Sequence, residues 1–484
     1  MNPFKMRPER TGDLFVDWEK FWVKPYNKNE VNPYTRTRII LMNGTEFENV
    51  WFSHQFSRSV GDDELRRKLA YIRKSEQQQQ KILTHLKPAD ESALEHTIGY
   101  EQLAVDLTAH LAKRVNDKNI KSALDFALLE DFDHLYRYAD YLDFTTGEHA
   151  EKLVGGYTEI TPGRPTISHH RHPYDSIRYP MTDKCPATMD VLAANVITAA
   201  EQQTMNYYMN TAALWPDEMG RRLYQEIGMV EEQHVTQYGS LLKPCMSRLE
   251  NLLVHQYVEC WLYWSCYETE TDTRIRGIWQ FMFEQELKHL HIALELLRQY
   301  EKKDWQEVIP DAEFPAPLVL ESNIEYVRCV LGSTVNDTAC RERYVDVRTN
   351  APETFIRYQR QVNDPVRNVM SHTFIEDYIR KNGDIKSTRP IEKIGAHAKG
   401  FNRESIGICY EGGLDSKGRP KDTRTEWQKH SLRVLILTLL KDYPECRVCG
   451  HRDLSPDRNE NGEIEPEEWV KACPCFDAEN NWKA

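Results

Sequence analysis

Glu101, Asp131 and His134, and one hundred residues later Glu201, Glu231 and His234, are the residues of this chain whose types and spacing point most directly to chemistry. In each set a glutamate precedes an acid-x-x-His motif by thirty residues, and Tyr138 or Tyr238 falls four positions after the histidine. Residues three apart share one face of a helix, so each acid and its histidine can hold the same metal ion. Two such pairs, with one glutamate from each of two further helices, make the ligand set of a carboxylate-held pair of iron or manganese ions in a bundle core. Open coordination positions on such ions admit a substrate, and the chemistry would be activation of oxygen or peroxide, or oxidation of a metal. Asp131 stands where glutamate is usual, one methylene shorter, and leaves Glu130 as an alternative ligand.

A third pair, Glu286 and His289, follows Glu259 on the preceding helical segment. With only short loops between these segments, its helix would run parallel to that of Glu231 and His234. That is the wrong symmetry for a shared site, so this pair reads as structural or as support for other ligands. The cluster His169, His170 and His172 reads as a solvated loop. Towards the C-terminus, Cys446-x-x-Cys449 and Cys473-x-Cys475 suggest a zinc ribbon, but the second knuckle is too short for the usual two-residue gap. Asp457, Asn459, Asn461 and Glu468 fall at positions one, three, five and twelve of a calcium-loop pattern, with Gly462 at six. The competing reading is a polar Asn-Gly turn.

Two resemblances organise these residues. Gly395–Gly413 (GAHAKGFNRESIGICYEGG), Gly450–Asp457 (GHRDLSPD) and Lys471–Asp477 (KACPCFD) together resemble the zinc-dependent N-acetylmuramoyl-L-alanine amidases of the phage-lysozyme type. That resemblance implies that His451 and Cys473 are two of three zinc ligands and that Lys471 stabilises the charged tetrahedral intermediate. It places His397 and Asn402 in the substrate cleft, with peptidoglycan or a muropeptide as substrate. The family's third zinc ligand and catalytic tyrosine lie upstream; His372 is the nearest histidine, and Tyr378 is out of register. The Glu101-to-His234 pattern resembles the ferritin-like di-iron carboxylate proteins, which implies two iron or manganese ions and, by analogy, a homodimer through the bundle. Two functions follow: a zinc amidase acting from residues 378–484, or a ferritin-like dimetal oxidoreductase or metal-oxidising protein carrying a vestigial amidase fragment.

The elements that must position these residues are mainly helical. Apolar periodicity predicts helices near 92–114, 119–143, 187–213, 217–241, 247–267 and 273–300. Ser247 reads as an N-cap and Pro216 as a first-turn proline. The long connection Thr145–Pro186 in the middle is the crossover of a ferritin-like bundle. The expected organisation is an N-terminal strap and helix (1–88, with a β-like run at Thr37–Met42), a ferritin-like bundle (89–300), a mixed packing segment (301–377) and a partial α/β amidase-like domain (378–484). In the last, a strand–turn–strand is expected around Asn382–Gly383, a helix at Thr425–Asp442, and Cys446 and Cys449 on a strand.

The 484 residues, 40% hydrophobic and 28% charged, can bury a real core. The net charge of -13 argues against nucleic acid and anionic lipid as partners. No apolar run of about 18 residues offers a membrane span. The N-terminus lacks the apolar stretch of a signal peptide, so a cytoplasmic location is expected. Eleven scattered cysteines do not read as a disulfide framework.

Overall fold

Short polar side chains fix where the long helices begin. In this computed structural model, which describes residues 1–8, 15–160, 176–182, 186–334, 397–398 and 400–479, Asn32 caps α1 (Pro33–Arg58) by accepting from Tyr34 N. Asp62 caps α2 (Asp63–Leu86), and a reciprocal box of Ser92 and Glu95 opens α3 (Ala93–Arg114). Asp117 caps α4 (Lys118–Thr146), which ends at Gly147 in the left-handed region with φ of 72°. A single turn, α5 (Ala150–Leu153), follows. Next come α6 (Thr188–Thr211), α7 (Glu218–Leu241), α8 (Arg248–Thr269) and α9 (Thr273–Glu301). Ser247 and Glu250 form the box at α8, as the sequence suggests. Pro216 lies before the cap residue Asp217, outside the first turn of α7. The short α10 (Trp305–Val308) and α11 (Ile324–Thr334) are the last described elements of the unit Met1–Val369.

One expectation fails plainly. Thr37–Met42, read as β-like, lies within the first half of α1. Nine consecutive residues from Tyr34 to Met42 are buried, so the helix has no polar face there and its apolar run carries no 3.6-residue period. Residues 1–88 thus hold two of the eight long helices, where a strap and one helix were expected.

Sequence neighbours pair as hairpins: α1 with α2, α3 with α4, α6 with α7, and α8 with α9. The hairpins then form two groups of four. Contacts of α3 with α6 and α4 with α7 join one group; contacts of α1 with α8 and α2 with α9 join the other. Between the groups, α1 packs on α3 and α6. Gly44 allows that approach, since a Cβ there would stand 2.8 Å from Gln203 Cβ on α6. No described helix is long and apolar enough to cross a membrane.

Asp106 on α3 ties three segments together. Tyr34 OH (3.1 Å) and Thr158 Oγ1 (2.7 Å) donate to its Oδ2, and Asn323 Nδ2 donates to its backbone oxygen at 3.2 Å. Burial pushes its carboxyl up from 3.8 to about 7. Below 3.8 the group is neutral in both folded and unfolded chains. Between 3.8 and 7 only the unfolded chain ionises, so stability falls as pH rises, and the deficit is complete above 7. Asp106→Asn keeps the shape and removes the charge. Its melting temperature is expected to match the parent near pH 5 more closely than at pH 8, where it should exceed the parent by several degrees. A variant less stable than the parent at pH 8 would contradict this account.

The second unit, Met370–Ala484, is described from residue 397. Thr425 and Gln428 form a capping box for α12 (Glu426–Asp442), the one helix expected here. Single 3₁₀ turns stand at Arg452–Leu454 and Pro466–Glu468, and Leu414 and Pro420 form an isolated bridge. The described residues contain no strand. Tyr443–Arg447 are exposed without alternation, so Cys446 does not lie on a half-buried strand leading to His451. The expected hairpin at Asn382–Gly383 lies outside the described residues, as do His169, His170, His172, His372 and Tyr378.

Candidate functional sites

The first group of four helices brings all six spaced residues together. Glu101 comes from α3, Asp131 and His134 from α4, Glu201 from α6, and Glu231 and His234 from α7, and none is more than 1% exposed. Ligand atoms of Asp131, Glu201, Glu231 and His234 all lie within 4.8 Å of one another, and so do those of Glu101, His134 and Glu231. Glu231 belongs to both sets. His134 Nδ1 stands 2.9 Å from its Oε1, and His234 Nδ1 stands 2.9 Å from its Oε2. One carboxylate therefore sits between two imidazoles whose rings are 6.2 Å apart.

The alternative between Glu130 and Asp131 resolves by position. Asp131 faces the cluster, while Glu130 Oε2 lies 2.7 Å from His234 Nε2, on the other side of that ring. Glu130 thus orients the imidazole, the supporting role a carboxylate plays behind a metal-bound histidine. Tyr208 OH donates to Glu101 Oε1 at 2.5 Å, leaving Glu101 Oε2 buried without a hydrogen-bond partner. Tyr138 and Tyr238, noted for their repeat, are fully buried; Tyr138 packs on Tyr208 and Tyr224, and Tyr238 on His234.

Electrostatics show how costly the cluster is without cations. Burial, then the charge of Glu231, pushes Glu101 well up and Glu201 to about 7. Asp131 is raised by burial and by Glu201. Burial and the nearby Arg137 guanidinium lower His134 to about 3. For His234 burial acts downward, but its contacts with Glu130, Glu201 and Glu231 prevail and raise it. Four carboxylates and two imidazoles balance the charge of two divalent ions, so the donor set fits a metal pair. Glu286 and His289 take no part in this cluster, because α9 packs with α8 and α2 in the other group.

In the second unit the motifs also converge, in part. Arg452 N donates to Cys473 O at 3.0 Å, which lays the His451 turn beside the Cys473 segment. Gly450 is required there, since a Cβ would meet Pro474 Cδ at 2.4 Å. Tyr410 OH donates to Pro474 O at 2.9 Å, drawing the segment before Gly412 to the same place. His451 and Cys473 are half-buried, and Lys471 is exposed two residues away. Asn402 Oδ1 accepts from His397 N (2.9 Å) and Ala398 N (2.6 Å), and His397 Nε2 lies 2.9 Å from Ser405 Oγ. An imidazole and a thiolate on adjacent segments fit zinc.

Residues 329–467 match the N-acetylmuramoyl-L-alanine amidase family. A 96-residue stretch is 47% identical to an uncharacterized protein of Haemophilus influenzae, covering 20% of this chain and 83% of that one. The C-terminal segment of the chain is therefore amidase-like. Endolysins of Enterobacteria phage T3 and Escherichia phage T7 are 36% and 35% identical over 105 residues, 22% of this chain. The match spans 60% of each endolysin's length. No solved structure matches the chain. The amidase segment begins within α11, well before the first motif legible in the sequence.

Backbone donors brace the calcium-loop residues of the amidase segment, while Asp457 Oδ1 is buried without a hydrogen-bond partner. Glu468 Oε1 accepts from Arg458 N (2.7 Å) and Asn459 N (3.2 Å), and its Oε2 from Glu465 N (3.2 Å). Asp457 Oδ2 accepts from Gly462 N at 2.8 Å, and Asn459 Oδ1 and Asn461 Oδ1 accept from Asn461 N and Glu463 N. Backbone donors thus hold this loop in the arrangement that the pattern assigned to Ca²⁺.

Proposed function

We propose that the amidase segment is a peptidoglycan hydrolase that cleaves the amide between N-acetylmuramic acid and L-alanine. The observation that carries this reading is the family match over 329–467, with His451 and Cys473 set on adjacent segments. Zinc bound by these two and a third ligand would supply a water acidified toward neutrality and a Lewis acid for the amide carbonyl. Lys471, exposed beside Cys473, would place its ammonium against the developing oxyanion. His397 and Asn402 would line the cleft that receives the muropeptide. The test is release of L-alanine-bearing peptide from purified muropeptides by the full-length chain. Lys471→Ala should lower kcat by roughly 10² to 10³ with bound zinc unchanged; undiminished turnover would remove Lys471 from the chemistry.

A second reading concerns the helical unit, and the sharing of Glu231 between two ligand sets favours it. Glu101, Asp131, His134, Glu201, Glu231 and His234 would hold two iron or manganese ions, which would supply oxygen or peroxide chemistry or the oxidation of a further metal. The protein's own contribution is a dry, charge-matched cage with Glu130 fixing the His234 ring. Elemental analysis of the purified chain tests both readings together: zinc reports the amidase segment, and iron or manganese the helical unit.

A further inference from the structure

The second group of four helices repeats the pattern of the first, with a spacing of thirty residues from Glu46 to Glu76 and of twenty-seven from Glu259 to Glu286. Glu46 on α1 is followed after thirty residues by Glu76 on α2, and three further on by Gln79; Glu259 on α8 precedes Glu286 and His289 on α9. The four acids approach one another at the centre of the group, although no three of their ligand atoms stand within 4.8 Å of one another as they do in the first cluster. Asn49 Nδ2 donates to Glu76 Oε1 (2.8 Å) and Glu259 Oε2 (2.6 Å), and Gln256 Nε2 donates to the same two oxygens at 2.9 Å each. Gln79 Nε2 donates to Glu286 Oε1 at 2.7 Å, and Tyr263 OH to Glu46 Oε1 at 2.5 Å. His289 Nδ1 lies 3.1 Å from Glu286 Oε1.

These donors satisfy only half of each carboxylate. Glu46 Oε2, Glu76 Oε2, Glu259 Oε1, Glu286 Oε2 and His289 Nε2 are buried without a hydrogen-bond partner, on residues no more than 1% exposed. Among the described residues His289 is the single cationic side chain within ion-pair distance of any of the four. Burial first, then mutual repulsion, raises Glu46 and Glu259 well above the ordinary carboxylate range. Burial likewise raises Glu76 to about 7. A buried, unpaired carboxylate is among the more expensive groups a core can hold. Four buried carboxylates, one from each helix, with one histidine among them and each with an orphaned oxygen, are what a cation would satisfy.

We propose that Glu46, Glu76, Glu259, Glu286 and His289 form a second metal centre that binds a divalent cation of the manganese class. Oxygen donors dominate and one imidazole joins them, a set that suits Mn²⁺ better than softer ions. Gln79 stands where the repeat would place a second histidine, which favours one ion over a pair.

The test uses the full-length chain with the first cluster removed (Glu101→Ala with Glu231→Ala), stripped of metal, loaded with Mn²⁺ and desalted. Bound manganese is read by elemental analysis and by its electron paramagnetic resonance spectrum. About one Mn²⁺ per chain is expected, falling at least tenfold when Glu286→Gln and His289→Ala are added, with the helical circular dichroism intact. Absence of bound Mn²⁺ in the first variant, or retention unchanged in the second, overturns the proposal. Gln79→His, which completes the repeat, provides a gain-of-function arm that does not depend on disruptive variants. It should tighten Mn²⁺ binding by about tenfold, and weaker binding would count against the site.

Discussion

Glu231→Ala is expected to empty the first cluster of both metal ions, whereas Glu101→Ala or Asp131→Ala should each release one. The asymmetry follows from geometry. Glu231 lies in both ligand sets and within 2.9 Å of both Nδ1 atoms, while Glu101 and Asp131 each belong to a single set. Iron or manganese per chain, measured after overnight loading and desalting, should fall from about two to about one or to none accordingly. Equal losses from all three variants would contradict the shared role of Glu231, and unchanged metal in Glu231→Ala would sink the reading of this cluster as a metal site. The metal-free protein should respond in the opposite sense. After burial, the charge of Glu231 raises the pKa of both Glu101 and Glu201, and isosteric Glu231→Gln removes that repulsion. Without metal, at pH 8, the glutamine variant should melt above the parent; with iron or manganese present, it should melt below it. A purely structural polar core would give one sign in both conditions.

His451→Ala and Cys473→Ala should each reduce muropeptide cleavage to background and strip zinc, leaving iron or manganese in the helical unit unaffected. Both residues lie in the second unit, apart from the six carboxylate and histidine ligands of the first. With only three protein ligands in the family's site, loss of one leaves too few to hold zinc tightly. Cleavage that survives both substitutions would remove the hydrolase reading. Loss of zinc together with iron and manganese would indicate general unfolding, and circular dichroism separates that case.

The first cluster was legible in the sequence because its signal is arithmetic. Equal spacing of Glu101 to Asp131 and Glu201 to Glu231, with histidine three residues on, survives without knowledge of the fold. The helices that carry it start at capping residues visible in the sequence, such as Ser92 and Ser247. The same arithmetic from Glu46 to Glu76 was present and missed. Two local features hid it: Gln79 replaces the expected histidine, and the continuous apolar run Ile39–Met42 disguises α1 as a strand. The role of Glu130 was not readable, because the distinction from Asp131 depends on which side of the His234 ring each carboxylate occupies. In the amidase segment the motifs pointed to His451 and Cys473, but the strands expected around them are not among the described residues. What those motifs encode is the close contact at Gly450 and Pro474, which constrains chain path more than strand pairing.

The membership of α1 in the second helix group also sets a timetable for synthesis. Its partner Tyr263 lies 217 residues downstream of Glu46. At roughly 5–20 residues per second, a ribosome would expose α1 for about 10–40 s before α8 has been made. Throughout that interval Glu46 and Asn49 face water rather than Tyr263 and Glu259. A nascent hairpin of α1 and α2 therefore waits with hydrated carboxylates on its unfinished face, a less adhesive surface than bare hydrocarbon. The acids that are expensive in the finished core lose the last of their water only when the final hairpin closes.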